Sequence, residues 1–143
     1  MGKAKKWAAP RPNPARFREG IDEVKAEPLV LIVVPTRELA VQIFNEARKF
    51  CYRTMLRPCV VYGGIPIREQ IGLLNRGCDL LIGTPGRLVD FIHRPQILTL
   101  RRLKFMVLDE ADEMLDQGWE EDLRHILSGG GMLANARVRE MAC

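Results

Sequence analysis

This sequence predicts a mostly parallel α/β domain, and three observations carry that reading. Short apolar runs rich in β-branched residues recur at about Leu29–Val34, Pro58–Tyr62, Asp79–Ile82 and Lys104–Leu108. Stretches with apolar residues three and four positions apart lie between them. Glycine, proline or a hydroxyl residue marks most of the junctions. Such alternation makes βαβ units, with the sheet covered on both faces.

Taken in order, residues 1–27 read as a disordered basic arm and linker. They are rich in Lys and Arg, contain Pro10, Pro12 and Pro14, and show little apolar periodicity. Leu29–Val34 is a continuous apolar run suited to a buried strand. Thr36 then caps a helix whose apolar positions are Leu39, Ile43, Ala47 and Phe50. The strand at Pro58–Tyr62 ends in the Gly63-Gly64 turn. A short helix spans about Pro66 to Asn75, with Gly77 as its stop. Asp79–Ile82 forms the third strand. Thr84 caps the next helix, with Pro85 at the first position, where a missing N–H does no harm. That helix runs to about His93, and Pro95 prevents its continuation. Lys104–Leu108 is the fourth strand. A final helix carries Trp119, Leu123, Ile126 and Leu127 on one face and ends at Gly129-Gly130-Gly131. The organisation expected is an arm over 1–27, a core domain over 28–128 and a divergent tail over 129–143.

At 143 residues the chain is one domain, long enough to bury a core. A hydrophobic fraction of 47% and a charged fraction of 28% are those of an ordinary globular protein. No apolar stretch reaches the length of a membrane span, and the basic start is followed by no apolar signal core. The expectation is an intracellular protein, cytoplasmic with a nuclear placement left open. Cys51, Cys59, Cys78 and Cys143 have neither metal-site spacing nor the density of a disulfide framework, so free thiols are expected. His93 and His125 stand alone and are assigned no role as ligand or base.

The net charge of +4 is unevenly placed. Lys3, Lys5, Lys6, Arg11, Arg16 and Arg18 occur in residues 1–18 with no acid, which leaves 16 basic and 18 acidic residues in the rest. The high isoelectric point therefore belongs to the arm, and does not make the folded part a nucleic-acid binder. The arm itself reads either as a solvated tail or as a non-specific RNA contact.

The most informative stretch is Asp109-Glu110-Ala111-Asp112, which closes the run Phe105–Leu108. Two carboxylates at the end of a buried strand are unfavourable unless they meet a cation, and open α/β sheets bind ligands at that end. In a nucleotide hydrolase the first acid holds Mg²⁺ through water and the second orients or deprotonates the attacking water. The alternative is a solvated turn in which Asp109 caps the next helix. At Thr36 and Thr84 a helix N-terminus opens just beyond a strand, which suits phosphate. Arg37 and Arg87 in those first turns would add charge-assisted contacts. The Gly63-Gly64 turn offers unobstructed N–H groups. Taken singly, each is also an ordinary cap, surface ion pair or turn. Contacts of this kind reach the sugar-phosphate backbone and are indifferent to base sequence.

Pro35-Thr36-Arg37-Glu38-Leu39-Ala40, Gly63-Gly64 with Gln70 beyond it, Thr84-Pro85-Gly86-Arg87 and Asp109-Glu110-Ala111-Asp112 occur in that order. The set resembles the first RecA-like domain of DEAD-box ATP-dependent RNA helicases. The stretch Glu46–Gly64 is most similar to the Vasa-like branch. The resemblance runs from about Leu29 to Leu127 and implies a RecA-like, P-loop NTPase fold. It also implies ATP and Mg²⁺ as ligands and single-stranded RNA as partner. Pro35, Thr36, Arg37, Gly63, Gly64, Thr84, Pro85, Gly86 and Arg87 would grip the RNA. Asp109 would hold Mg²⁺ through water, Glu110 would act on the hydrolytic water, and Asp112 would couple the two domains of the helicase.

Other parts of the pattern are missing. No Gly-x-x-x-x-Gly-Lys-Ser/Thr phosphate loop, adenine motif or Ser-Ala-Thr segment occurs in the sequence. The chain is therefore expected to be a truncated piece or variant of a helicase, unable to hydrolyse ATP. The alternative is a non-catalytic RNA- or protein-binding remnant. Without the Ser-Ala-Thr strand, Phe105–Leu108 is expected to form an unpaired apolar edge open to self-association, with Met132-Leu133 too short to replace the strand.

Overall fold

The computed structural model describes residues 25–129 and 137–141. Its elements are β1 (Val30–Val33), α1 (Arg37–Cys51), β2 (Pro58–Val61), α2 (Ile67–Leu74), β3 (Leu80–Gly83) and α3 (Pro85–Ile92). β4 (Phe105–Asp109), α4 (Ala111–Asp116), α5 (Glu120–Ser128) and β5 (Arg137–Met141) follow. The strands form one parallel sheet in the order β2-β3-β1-β4-β5.

The strand pleat sends alternate residues to opposite faces, and a separate core lies on each. Leu31, Val33, Val61, Leu81 and Met106 pack with Leu88 and Phe91 of α3 and Leu123 and Ile126 of α5. On the other face Ile82 meets Ala40 and Ala47 of α1, with Ile43, Phe44 and Val60 around them. Cys51, Cys59 and Cys78 are buried free thiols, as expected, while Cys143 lies outside the described residues. No helix among the described residues is long and apolar enough to cross a membrane.

The structure corrects four local expectations. The arm lies outside the described residues up to position 24, but positions 25–27 belong to the fold. Ala26 is fully buried, and its N–H donates to the Ile97 carbonyl at 2.8 Å while its own carbonyl accepts from Thr99 N–H at 3.0 Å. Phe50 was placed on the buried stripe of α1 but is 82% exposed; Cys51, the next residue, is buried. The final helix is α5, with Trp119 at its N-cap; a separate short helix, α4, precedes it, and Gly118, whose φ of +81° suits glycine, lies between the two. On α5, Leu123 and Ile126 are buried but Leu127, expected on the same face, is 38% exposed.

The fourth correction concerns the edge. β4 is not unpaired, because Phe105–Asp109 is matched residue by residue with Arg137–Met141. The ladder needs only backbone N–H and C=O groups, so the tail did not require a long apolar run to supply it. Met132 and Leu133 lie outside the described residues. Apolar surface is left on a sheet face instead. α1 covers the β2 and β3 side of its face, while Val30, Ile32 and Val107 are half-buried and Phe105 is 45% exposed.

Candidate functional site

Because β1 to β4 run parallel, their carboxyl ends open at one edge of the sheet. The turns after them stand side by side as Gly63-Gly64, Thr84-Pro85-Gly86-Arg87, Pro35-Thr36-Arg37 and Asp109-Glu110. Main-chain bonds tie the first three together: Val34 N–H donates to the Gly83 carbonyl at 3.0 Å, and Thr84 N–H donates to the Val61 carbonyl at 3.2 Å. Gly83 makes this close approach possible. A Cβ there would lie 2.7 Å from Leu88 Cδ2 and 2.9 Å from Val61 Cγ2. Sequence reading passed over Gly83, although glycine at the end of an apolar strand is itself a sign of close backbone approach.

The two hydroxyl caps differ. Thr36 Oγ1 accepts from Leu39 N–H at 3.3 Å and closes the first turn of α1. Thr84 holds the N-cap position of α3 with Pro85 following, but makes no side-chain cap bond. Arg37 is exposed, with its guanidinium 5.0 Å over the Tyr62 ring. It also reaches the glycine turn, since a Cβ on Gly64 would lie 3.7 Å from Arg37 Nη1. Gly64 has φ of +89°, a conformation that other residues rarely adopt.

Arg87 lies in the first turn of α3, as expected, with its side chain turned inward. Its side chain is only 11% exposed. Nη1 donates to Gln70 Oε1 at 2.9 Å and Nη2 donates to the Ile65 carbonyl at 3.0 Å. Gln70, almost fully buried, donates from Nε2 to the Tyr62 carbonyl at 3.0 Å. Tyr62 and Ile65 flank the two glycines, so α2 and α3 together clamp both ends of that turn. Gln70 was part of the motif in sequence, but only its contacts show this task. Gly86 is packed under an indole: a Cβ there would come 3.2 Å from the Trp119 ring. Trp119 is the N-cap of α5, so the start of that helix and the turn after β3 share a contact.

The acids lie beside the turn after β1, since β1 and β4 are neighbours. Glu110, not Asp109, holds the N-cap position of α4, with φ of 55° and ψ of 48°. A left-handed backbone is costly for a side chain of this kind and is concentrated at functional sites. The Glu110 carboxyl is pushed above the usual carboxylate range, first by a hydrogen bond with the Glu113 carboxyl, then by burial, then by the charges of Glu113 and Asp109. Ala111 is buried in the core, which accounts for its small size, and Asp112 is exposed.

This excess of negative charge fits a divalent cation. Mg²⁺ is held by one or two carboxylates and otherwise by water and phosphate oxygens. No group of three or more His, Cys, Asp or Glu side chains that could hold a metal ion is found among the described residues. The sequence contains no glycine-rich loop with a lysine of the kind that cradles a triphosphate.

Residues 14–138 match the model of the DEAD/DEAH box helicase family. The fold is similar to the yeast DEAD-box splicing factor Prp28, with a TM-score of 0.75 and 30% identity over 93% of this chain. It is also similar to a DEAD box protein from the hyperthermophile Methanococcus jannaschii, with a TM-score of 0.72 and 34% identity over 83% of this chain. The chain spans 30% and 31% of those two structures. It belongs to the DEAD/DEAH box helicase family.

Proposed function

We propose that the chain is part of the first RecA-like domain of an ATP-dependent RNA helicase, and that on its own it is a non-catalytic RNA-binding unit. The Glu46–Gly64 segment supports placing it in the Vasa-like branch. One observation carries the functional reading: three phosphate-suited turns lie side by side at the carboxyl edge of the sheet, with the acidic loop next to them. Arg37, Gly63 and Gly64 are exposed and Thr36 and Gly86 half-buried on the surface offered to a single strand, with Pro35, Thr84 and Pro85 buried behind them. Contacts of backbone N–H groups, hydroxyls and one exposed guanidinium hold phosphates and read no bases. Arg87 serves that surface indirectly, by fixing the glycine turn.

In the whole helicase Asp109 would hold Mg²⁺ through water, Glu110 would act on the hydrolytic water and Asp112 would couple the domains. Bound Mg²⁺ would neutralise phosphate charge there. We assign no hydrolytic step to this chain, since carboxylates without a phosphate cradle leave the triphosphate unpositioned.

Fluorescence anisotropy with labelled uridine-only and mixed-sequence single-stranded RNAs tests this. Both should bind alike, the affinity should fall steeply with salt, and Arg37→Ala should weaken it several-fold. ATP turnover should match that of Glu110→Gln. Loss of all binding on deletion of residues 1–18, with no effect of Arg37→Ala, would show that the arm alone holds RNA.

A further inference from the structure

The indole of Trp119 joins two parts of the site that are distant in sequence. Its six-membered ring lies against Gly86 in the turn after β3, where a Cβ would come 3.2 Å from Cζ3 and 3.4 Å from Cη2. Its other edge is tied to α4. Nε1–H donates to Gln117 Oε1 at 3.2 Å, and Gln117 Nε2 donates to Glu113 Oε1 at 2.9 Å. The main chain makes a second route. Trp119 N–H donates to the Met114 carbonyl at 2.9 Å, and Met114 N–H donates to the Glu110 carbonyl at 3.2 Å. One route ends on Glu113 and the other on Glu110, both beside the acidic turn. α4 is also the element there most able to move. Only Ala111 and Met114 of its 6 residues are buried, and it has no side-chain cap bond. Glu110 starts it in a left-handed conformation that stores strain. Short elements with few buried contacts open at low free energy.

We propose that Trp119 and Gln117 are positioning residues that couple the turn after β3 to α4, so that what occupies the turn at Gly86 alters the setting of the acidic loop. Trp119 also packs against the core, but packing alone uses neither its N–H nor the Gln117 amide between it and Glu113. The ring fills the space beside Gly86, so a shift of that turn is passed to the indole and is not absorbed by a void. From the indole it reaches α4 through bonds at both the side chain and the main chain. α3 does not yield in the same way, because Pro85, Leu88, Phe91 and Ile92 are all buried. Coupling of this kind is reciprocal, so a change in α4 also alters affinity at the turn.

Backbone amide hydrogen exchange of the full chain, read by mass spectrometry over residues 110–119, tests the link in two arms. In the first, without RNA, Gly86→Ala presses a methyl onto the ring and should speed exchange there about fivefold. The change should shrink in a Gln117→Leu background and vanish with Trp119→Leu, where the methyl meets no ring. Gln117 is exposed, so Gln117→Leu reads the link in a folded chain even if Trp119→Leu unfolds. An unchanged rate in Gly86→Ala, or an equal change with and without Gln117→Leu, would overturn the proposal. The second arm rests on the RNA-binding reading above. Uridine-only RNA should slow the same amides about fivefold in the wild-type chain and less in Gln117→Leu. RNA that binds by anisotropy but leaves these rates unchanged overturns the coupling alone. RNA that does not bind overturns the binding reading, and the first arm then decides the coupling by itself.

Discussion

Arg37 and Arg87 begin from the same sequence situation and end in opposite ones. Each follows a strand and a threonine cap and lies in the first turn of a helix, on neighbouring strands β1 and β3. Arg37 is exposed over Tyr62 at the mouth of the site. Arg87 is folded inward onto Gln70 and the Ile65 carbonyl. The difference lies in the surroundings. Arg87 sits two residues further into its helix, where α2 brings Gln70 within reach and the Gly63-Gly64 turn presents a carbonyl. Arginine at a helix start therefore does not by itself mean a ligand contact. What its five donors find within the protein decides whether it grips an outside phosphate or holds the loop that does.

The sharpest way to break that comparison is to truncate both arginines. Arg87→Ala leaves Gln70 and a backbone carbonyl without their charged donor, and should destabilise the domain by about 3 kcal/mol in urea unfolding. Gln70→Ala added to it should cost much less than the two single losses together, because one network is removed once. Arg37→Ala should leave stability within about 0.5 kcal/mol, as for other exposed positions. Equal losses at the two sites would mean that Arg37 is also structural.

The threonines sharpen the same contrast at smaller scale. Thr36→Ala removes a cap bond to Leu39 N–H and should cost about 1 kcal/mol. Thr84→Ala breaks no cap bond and should cost less, while weakening RNA binding more than Thr36→Ala does. A larger stability loss at Thr84 would show that its hydroxyl serves the fold.

The smallest effect concerns Glu110. Its carboxyl is raised in the folded chain, mainly by Glu113, so the folded state keeps a proton that the unfolded state has already released. Stability from this group therefore declines as pH rises from the ordinary carboxylate value through the raised one. Glu110→Gln should raise Tm slightly at neutral pH, and the gain should vanish in acid below the ordinary carboxylate range. A gain that persists there would trace the effect to the left-handed backbone and not to charge.

Much of the fold was legible along the chain. The β-branched runs, the Thr36 cap, the glycine turn and Pro85 mark β1, β2, β3 and the starts of α1 and α3, because caps, turns and pleats depend on residues a few positions apart. The four motifs placed the candidate site at the strand ends for the same reason. Relations between distant segments were not legible. The pairing of Arg137–Met141 with β4, the clamp of Arg87 and Gln70 on the glycine turn, and Trp119 lying over Gly86 join residues separated by 8 to more than 30 positions. Local composition constrains such contacts weakly, since backbone ladders accept almost any side chain and a guanidinium accepts any carbonyl within reach. Sequence alone determined β1 to β4, the turns after them and the residues those turns carry. Tertiary structure alone decided which of those groups face outward, because burial and partnership depend on what the rest of the chain brings alongside.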